Sequence, residues 1–320
     1  MPDLVLDATL LALGVAVLYY GAEWLVRGSA RLAAALRISP IVVGLTVVSF
    51  GTSAPELVVC IVAALGGNPD LAVGNVMGSN LANIGLILGI TSIVRPLDVH
   101  ARVVRREMPL MVLVTAALYP LIWDLNLGRG DGIALLIAFA AYLIFVIQSV
   151  EEEPPRIVGE YQDFLDASTD GDSEFHARDV MWVLAGAACL VLGGYCIVEG
   201  GVRIATSLGV SQITIGLTVV AVGTSLPELA TSVVAAARNE SDIAVGNIIG
   251  SNIFNVAAIL GVSSLLEPVP IGASILTREL PMVLALSILL FPVLRSGWRI
   301  RRWEGAILLG AYVAAGIYLL

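Results

Sequence analysis

Long apolar runs separated by short polar loops fill most of this 320-residue chain. A membrane-spanning helix needs ~20 apolar residues, and ten runs come close to that length. The predicted spans are residues 6–26, 39–66, 71–94, 108–124, 131–149, 180–200, 211–237, 242–266, 280–295 and 303–320. Because Gly, Pro, Ser and Asn interrupt the second, third, seventh and eighth runs, we expect those helices to be discontinuous. The pattern predicts an all-α polytopic membrane protein.

The second half of the chain repeats the first at a constant offset. Residues 44–57 read Gly-Leu-Thr-Val-Val-Ser-Phe-Gly-Thr-Ser-Ala-Pro-Glu-Leu, and eleven of these fourteen residues recur in order at 216–229. Each half holds five spans, and because five is odd the second copy enters the membrane from the opposite side, as in inverted-repeat transporters. We expect a first half at 1–150, a linker at 151–179 and a second half at 180–320.

The repeated segment places a carboxylate, Glu56 or Glu228, in the middle of each apolar run. An ionisable side chain at the centre of a membrane helix costs at least ~2.5 kcal/mol and is by default a functional candidate. Neighbouring Gly and Pro residues break the helix at bilayer depth, and a matched pair of broken helices is typical of a transporter's midplane binding site. The alternative, a proline kink beside a structural Glu, accounts less well for two matched copies.

Composition excludes an ordinary soluble protein. Charged residues make up 13% and hydrophobic residues 58% of the chain, and the mean hydropathy is +0.93, whereas soluble proteins carry ~25% charged residues. The N-terminus has no basic stretch, so we expect the first span to be retained. Ten acids in the predicted linker dominate the net charge of −9. There, Asp166, Ser168 and Asp170 imitate half of a calcium loop, but Ala177 stands where such a loop needs Glu, which favours a solvated linker.

All 17 basic residues are Arg, and their distribution predicts the orientation of the chain. If the N-terminus lies outside, fourteen Arg fall in inner loops, and only Arg129, Arg203 and Arg278 fall outside. We therefore expect a multi-pass protein of the cell membrane with both termini extracellular and the linker cytoplasmic.

A second repeated motif, Gly-Asn-x-x-Gly-Ser-Asn, lies in the third span and again in the eighth. Glycines four residues apart allow close helix contact, but packing alone does not require the polar residues that follow. Ser79 and Asn83 lie one helical turn apart, as do Ser251 and Asn255, so each pair can present a hydroxyl and an amide oxygen on one face. We favour cation ligands over interhelical hydrogen bonds as their role.

Together the motifs supply only hard oxygen donors. Calcium prefers about six to eight oxygens, and sodium accepts the same chemistry, whereas zinc and copper favour His or Cys. His100 and His176 fall in loops, and Cys60, Cys189 and Cys196 show no metal-ligand spacing. We expect calcium and sodium ions as substrates, magnesium as second choice, and the lipid bilayer as surroundings. No cofactor, nucleic-acid partner or protein partner is indicated.

Charge counting suggests how the two ions would be coupled. Glu56 and Glu228 supply two negative charges, which one calcium ion or two sodium ions would neutralise, and competition for the same pair would force exchange. A third sodium ion would leave one positive charge, held by carbonyls and by the C-terminal ends of half-helices. Exchange of about three sodium ions per calcium ion would then respond to voltage by ~2.3 kcal/mol per 100 mV.

The two motif pairs, in this order, resemble the α-repeats of the cation/calcium exchanger superfamily, in its prokaryotic sodium/calcium exchanger branch. The resemblance covers nearly all of the chain. It implies an antiporter and no enzyme activity, with ten helices, four central cation sites, and first and sixth helices that slide across a rigid core to alternate access. Some archaeal relatives and the potassium-dependent members carry Asp where this chain has Asn255, and the resemblance therefore implies potassium-independent transport.

The resemblance also implies a set of cation ligands, carried over by motif position. In the first repeat they are Ser49, Thr52, Ser53, Glu56, Ser79 and Asn83, and in the second they are Ala221, Thr224, Ser225, Glu228, Ser251 and Asn255. Ser49 and Ala221 would act mainly through their backbone carbonyls.

Other functions stay open at this point. A proton/calcium antiporter is the nearest alternative, because a buried Glu opposite a second Glu binds protons more readily, and pH-driven calcium flux without sodium would identify it. A passive cation channel would carry calcium without countertransport. A structural membrane scaffold gives no reason for two intramembrane carboxylates.

Overall fold

The computed structural model describes residues 2–36, 38–66, 69–148, 176–208 and 221–319. Nearly all of these residues are helical, and four two-residue strands form two small ladders. Five segments are π-helical, with one extra residue in the turn.

The elements are numbered in chain order. The α-helices are α1 (Pro2–Leu36), α2 (Pro40–Val43), α3 (Ser49–Thr52), α4 (Ala54–Leu65), α5 (Pro69–Ala82), α6 (Leu88–Val94), α7 (Met108–Ala116), α8 (Leu118–Leu121), α9 (Arg129–Gln148), α10 (Ala177–Ser207), α11 (Ala221–Thr224), α12 (Leu226–Ala237), α13 (Ser241–Ile253), α14 (Leu260–Leu266), α15 (Leu280–Arg295) and α16 (Arg302–Leu319). The π-helical segments are π1 (Gly44–Val48), π2 (Asn83–Ile87), π3 (Val103–Glu107), π4 (Phe254–Ile259) and π5 (Ile275–Glu279). The strands are β1 (Leu97–Asp98), β2 (Asn126–Leu127), β3 (Val269–Pro270) and β4 (Arg299–Ile300).

Several of these helices can cross a membrane. Six are long and apolar enough: Leu6–Leu36, Leu71–Val94, Arg129–Gln148, Ala177–Ser207, Ser241–Leu266 and Ile275–Arg295. A seventh is counted when Pro40–Thr52 and Ala54–Leu65, which meet at 46°, are taken as one broken span. The described parts of the other predicted spans are mainly helical, but these helices are shorter or less apolar. The predicted all-α polytopic membrane fold is confirmed.

Two helices run beyond the apolar stretches that predicted them. α1 continues to Leu36, past the predicted end at 26, and α10 covers 177–207 instead of 180–200. Ion pairs stabilise the added turns of α1: Arg27 lies 3.3 Å from Glu23, and Arg31 lies 3.6 Å from Asp179 of α10. The first three residues assigned to α10 therefore come from the predicted linker. Residues 149–175, with the calcium-loop imitation, lie outside the described part of the chain.

The fourth predicted span, 108–124, is not one regular helix. α7 ends at Ala116 and α8 begins at Leu118. Pro120 has no N–H to donate to the carbonyl of Ala116, so the α-helical hydrogen-bond series cannot continue across this point. The helical region also begins earlier than predicted, with π3.

The third and eighth spans form the buried centre of the molecule. The apolar window of Ser241–Leu266 is 100% buried and that of Leu71–Val94 is 78% buried. Their predicted discontinuity takes the form of a π-helical turn within a continuous helix. π2 begins at Asn83, and π4 contains Asn255, and such turns often mark functional sites.

α1 and α10 pack antiparallel along their length. Both helices carry glycines at intervals of seven residues: Gly14, Gly21 and Gly28 in α1, and Gly186, Gly193 and Gly200 in α10. A Cβ built on Gly186 would lie 2.8 Å from the carbonyl oxygen of Gly21, and one on Gly193 would lie 2.9 Å from that of Gly14. The two backbones are therefore so close at these glycines that a side chain would not fit between them.

An ion pair joins α1 to α10 near each end of this contact. Asp7 lies 4.0 Å from Arg203 at one end, and Asp179 lies 3.6 Å from Arg31 at the other. Both aspartates are buried. The two pairs are equivalent in the repeat, since Asp7 and Asp179 differ by 172 positions, as do Arg31 and Arg203.

Other contacts between the halves also occur in equivalent pairs. α6 packs on α16 where Gly89 meets Gly305, and α14 packs on α9 where Gly261 meets Gly132. β1 pairs antiparallel with β4, and β2 pairs antiparallel with β3. These matched contacts agree with the inverted repeats that the sequence predicts.

The loops fall into two groups. The β1–β4 ladder joins the loop after α6 to the loop after α15, and Arg95 donates to the carbonyl of Ala237 at the end of α12 (3.1 Å). The β2–β3 ladder joins the loop before α9 to the loop after α14. The Arg distribution assigns the first group to one side of the membrane and the second group to the other. Each ladder therefore joins loops that the sequence places on the same side.

Candidate cation-binding site

Both repeats break their helix at a serine three residues before the glutamate. Ser53 separates α3 from α4 with φ −86° and ψ 8°, and Ser225 separates α11 from α12 with φ −89° and ψ 4°. A proline follows in the first turn of each new helix, where its missing N–H removes no helical hydrogen bond. Glu56 and Glu228 lie in these same first turns. The identical chain break thus delivers one carboxylate from each repeat.

Glu56 and Glu228 are both 1% exposed. The Ser53 hydroxyl donates to Oε1 of Glu228 at 2.9 Å, which ties the two repeats together at the site. Neither oxygen of Glu56, nor Oε2 of Glu228, has a hydrogen-bond partner among the described residues. Buried polar atoms are nearly always paired, and an unpaired buried charge is costly. These three oxygens are therefore suited to contact a cation.

The polar residues of the third and eighth spans lie against the broken helices. π2, which begins with Asn83, packs against α12, and π4, which contains Asn255, packs against α4. α5, with Ser79, contacts α11, and α13, with Ser251, contacts α3. All four side chains are at most 4% exposed. In the described part of the chain, Oδ1 of each Asn and Oγ of Ser251 have no hydrogen-bond partner.

Hydroxyl groups on the broken second span are held by the eighth. Thr52 Oγ1 donates to Asn247 Oδ1 at 3.0 Å, and Asn247 Nδ2 donates to Ser232 Oγ at 3.2 Å. Because the Thr52 hydrogen is used in this bond, its lone pairs remain for a cation. Ser49 Oγ donates to the carbonyl of Gly44 at 2.6 Å and lies 3.1 Å from the carbonyl of Asn247. The Ser49 hydroxyl thus lies between the carbonyls of Gly44 in π1 and Asn247 in α13, and its single hydrogen can bond to one of them at a time.

The structure brings the predicted ligands together around the two chain breaks. Eleven of the twelve have described side chains, and all eleven are buried: Ser49, Thr52, Ser53, Glu56, Ser79, Asn83, Thr224, Ser225, Glu228, Ser251 and Asn255. Ala221 begins α11, and its side chain lies outside what the structure describes. The Ser49 carbonyl accepts the Ser53 N–H at 2.9 Å and lies 3.3 Å from Thr52 Oγ1. Its role as a carbonyl ligand stays a prediction.

Sequence reasoning missed a layer of amides behind these ligands. Asn80 Nδ2 donates to the carbonyl of Asn252 at 3.2 Å, and Asn255 Nδ2 donates to Asn80 Oδ1 at 3.0 Å. Interhelical hydrogen bonding, which the sequence left as an alternative for this motif, is therefore the observed role of Asn80. The signal that could have found it is the exact repetition of Asn75 and Asn80 as Asn247 and Asn252.

The chemistry of the site is that of a hard-cation cage. Among the described residues, no group of three or more His, Cys, Asp or Glu side chains could hold a metal ion. A cation at the chain breaks would therefore rely on two carboxylates together with hydroxyl, amide and carbonyl oxygens. Calcium and sodium accept this donor set.

Known proteins resemble this chain over nearly its full length. The pattern of the family described as "Sodium/calcium exchanger protein" matches residues 6–148 and 179–320. The chain is 40% identical to a putative antiporter, CaxA, of Alkalimonas amylolytica, over 96% of this chain and 97% of that one. It is 36% identical to the inner membrane protein YrbG of Escherichia coli, over 97% and 95%. A solved structure of the sodium-calcium exchanger NCX_Mj, soaked with Na⁺ and Ca²⁺, superimposes with a TM-score of 0.83 at 30% identity, covering 99% of each chain.

Proposed function

The chain belongs to the sodium/calcium exchanger family, in the prokaryotic branch of the cation/calcium exchanger superfamily, and from this membership we propose that it is a sodium/calcium antiporter. Calcium and sodium ions are the substrates, and transport is by alternating access without a potassium requirement. The observation that carries the proposal is the buried pair Glu56 and Glu228, one from each repeat, which leaves three carboxylate oxygens without a hydrogen-bond partner among the described residues.

The two carboxylates explain why the ions would exclude each other. Both are buried in the interior of the helix bundle, where separating a cation from its countercharge is far more costly than in water. One calcium ion or two sodium ions would neutralise them. The pair would be unstable with no cation bound and also with calcium and sodium bound together. It would be stable with calcium alone or with sodium alone, and this competition would couple the two fluxes.

Neutral oxygens complete the proposed coordination. Thr52, with its hydrogen engaged by Asn247, can offer lone pairs to a cation at the chain breaks. Asn83 and Asn255 can offer amide oxygens that have no other described partner. The full proposed ligand set is Ser49, Thr52, Ser53, Glu56, Ser79, Asn83, Ala221, Thr224, Ser225, Glu228, Ser251 and Asn255. A third sodium ion would be held without a third carboxylate, which makes exchange of about three sodium ions per calcium ion electrogenic.

We assign the protein to the cell membrane, with both termini extracellular and the acidic segment between α9 and α10 cytoplasmic. The six to seven membrane-crossing helices support the multi-pass arrangement. The Arg distribution supports the orientation. We also propose that 1–150 and 180–320 act as the two halves of the transporter, since their contacts come in equivalent pairs.

Calcium uptake into proteoliposomes tests the proposal. Vesicles loaded with sodium are diluted into sodium-free buffer containing radioactive calcium, with or without potassium. We expect uptake only with the outward sodium gradient, unchanged by potassium, and lost in Glu56→Gln and in Glu228→Gln. The matched control is Glu304→Gln. Glu304 is also buried but accepts the Arg301 N–H at 2.7 Å at the start of α16, and a Gln side chain can still accept it. Wild-type uptake in either site variant would overturn the assignment.

The same vesicles distinguish proton coupling. Glu56 has no hydrogen-bond partner among the described residues, so a proton could replace sodium there. Uptake driven by a pH gradient in the complete absence of sodium would establish a proton/calcium antiporter with the same site. Uptake that needs no countergradient at all would indicate a channel.

A further inference from the structure

Asn80 belongs to α5 in the third span and faces the eighth span. Its side chain contacts a proposed ligand, although Asn80 itself is not in the ligand set. Its side chain is 0% exposed. The amide nitrogen donates to the backbone carbonyl of Asn252, and the amide oxygen accepts from the side-chain nitrogen of Asn255, at 3.2 Å and 3.0 Å. Both of these hydrogen bonds to the eighth span are thus made through one planar group.

The backbone carbonyl fixes which way this amide faces. A carbonyl oxygen can only accept, so the group that meets Asn252 must be the NH₂ of Asn80. If the amide were turned over, its oxygen would face the Asn252 carbonyl oxygen, two acceptors would meet in a buried place, and the contact would become unfavourable. The oxygen of Asn80 therefore faces position 255.

An acceptor at this place requires a donor at position 255. The neutral amide of Asn255 meets that requirement with its NH₂, and its own oxygen is then turned away from Asn80. That oxygen is buried and has no hydrogen-bond partner among the described residues. A carboxylate at position 255 could not donate, and its negative charge would face the oxygen of Asn80 across a buried contact.

The equivalent position in the first repeat is built differently. Asn252, the counterpart of Asn80, donates within its own helix to the carbonyl of Ile248 at 2.9 Å. Asn83, the counterpart of Asn255, has no described hydrogen-bond partner at either end of its amide. The first repeat thus leaves Asn83 free to turn, whereas Asn80 fixes Asn255.

We propose that Asn80 is a specificity-determining positioning residue, whose amide oxygen aims the Asn255 oxygen at the cation site and restricts position 255 to a neutral, donating side chain. Asn80 in this way limits the negative charge of the central site to two, from the carboxylates of Glu56 and Glu228. The inference rests on the proposed cation site, and it adds a residue that does not touch the ion.

A set of five variants tests this role in the sodium-loaded vesicles, with calcium KM and kcat measured separately. In Asn80→Ser the Asn255 amide is no longer aimed, so we expect the calcium KM to rise about threefold to tenfold, with kcat within about twofold of wild type. Asn255→Asp should lose about tenfold or more in kcat/KM. Asn80→Ser/Asn255→Asp should recover most of that loss, because the opposing oxygen is gone.

Asn83→Asp is the matched control, since it introduces the same charge at the equivalent position, where no described amide oxygen accepts a hydrogen bond from the Asn83 side chain. We expect a smaller loss than in Asn255→Asp, and no rescue when Asn80→Ser is added. Equal losses in the two Asp variants, wild-type transport by Asn255→Asp, or an unchanged calcium KM in Asn80→Ser would each overturn the proposal.

Thermal unfolding in detergent, without added calcium, separates this inference from the transport proposal. Asn255→Asp should unfold at a lower temperature than Asn83→Asp, and Asn80→Ser should raise the unfolding temperature of Asn255→Asp. This order is expected even if the wild-type protein exchanges other cations. If wild type shows sodium-driven calcium uptake but the order of unfolding temperatures is absent, only the role of Asn80 fails.

Discussion

At Thr52, a proposed neutral ligand, a single hydrogen bond can prepare the side chain for a cation. Its hydroxyl donates to Asn247, and Asn247 is held in turn by Ser232 on α12. All three side chains are 0% exposed. When Asn247 holds the hydrogen of this hydroxyl, the oxygen lone pairs remain available to a cation. Preorganisation of this kind improves binding because less ordering is needed when the ion arrives.

Thr52→Val keeps the shape of the side chain but removes this oxygen. We expect calcium uptake to fall about tenfold or more, because a ligand is lost and Asn247 Oδ1 loses its donor in a buried place. Thr52→Ser retains the hydroxyl and should stay within about threefold of wild type. The test compares the initial rates of calcium uptake of the two variants in the proteoliposome assay. Equal rates for the Val and Ser variants would argue against a ligand at Thr52.

At the scale of helices, the contact between α1 and α10 depends on glycine. The seven-residue spacing places Gly21 opposite Gly186 and Gly14 opposite Gly193, and the backbones meet there. Both helices expose large apolar side chains on their other face, such as Tyr20 and Leu184. The pair is therefore held mainly by its mutual contact and by the two Asp–Arg ion pairs, as a unit on the outside of the central spans.

Gly186→Ala tests this close packing. The added Cβ would lie 2.5 Å from the backbone nitrogen of Leu25 and 2.8 Å from the Gly21 carbonyl oxygen. Neither backbone atom can move aside without shifting α1, so we expect a loss of ~1–3 kcal/mol in stability. Gly310→Ala in α16 is the control, because no described atom outside its own helix lies within 4 Å of the new Cβ. Unfolding temperatures in detergent should fall for the first variant only.

How far sequence predicts such elements depends on whether the determinant is local. The chain breaks and the carboxylates Glu56 and Glu228 were predictable, because Gly, Pro and charge in an apolar run are local signals and occur twice. The extension of α1 past residue 26 was not, because the partner of Arg31 is Asp179, far along the chain. The role of Asn80 was hidden for the same reason: its contacts lie 172 and 175 residues away, at Asn252 and Asn255.

At the scale of the whole molecule, the paired ladders divide the loops into two sets, and the Arg distribution predicts which set is cytoplasmic. Trp298 lies in the loop that the β1–β4 ladder closes, and Trp123 lies just before β2. Both side chains are exposed, by 41% and 74%. Each position can therefore accept a reporter side chain without disturbing the core.

Single cysteines at these positions, in a variant lacking Cys60, Cys189 and Cys196, report the orientation. We expect a membrane-impermeant thiol reagent to label Trp123→Cys in intact cells, and to label Trp298→Cys only after the membrane is opened. The reverse order would place both termini in the cytoplasm and would contradict the positive-inside assignment.

The charge of the whole site makes one further demand on transport. Two carboxylates and neutral amides at Asn83 and Asn255 leave one uncompensated positive charge when three sodium ions are bound. Uptake of one calcium ion against three departing sodium ions then carries one positive charge out of the vesicle, so an inside-positive potential should favour calcium accumulation. A potential of 100 mV changes the equilibrium by ~2.3 kcal/mol per charge, about fiftyfold in the calcium ratio.

The measurement is steady-state calcium accumulation at potentials set by a potassium gradient and a potassium ionophore, with Glu56→Gln vesicles to correct for leak. Exchange of two sodium ions per calcium ion would be electrically silent, so accumulation that ignores the potential would rule out the third sodium ion while leaving the Glu56–Glu228 site in place.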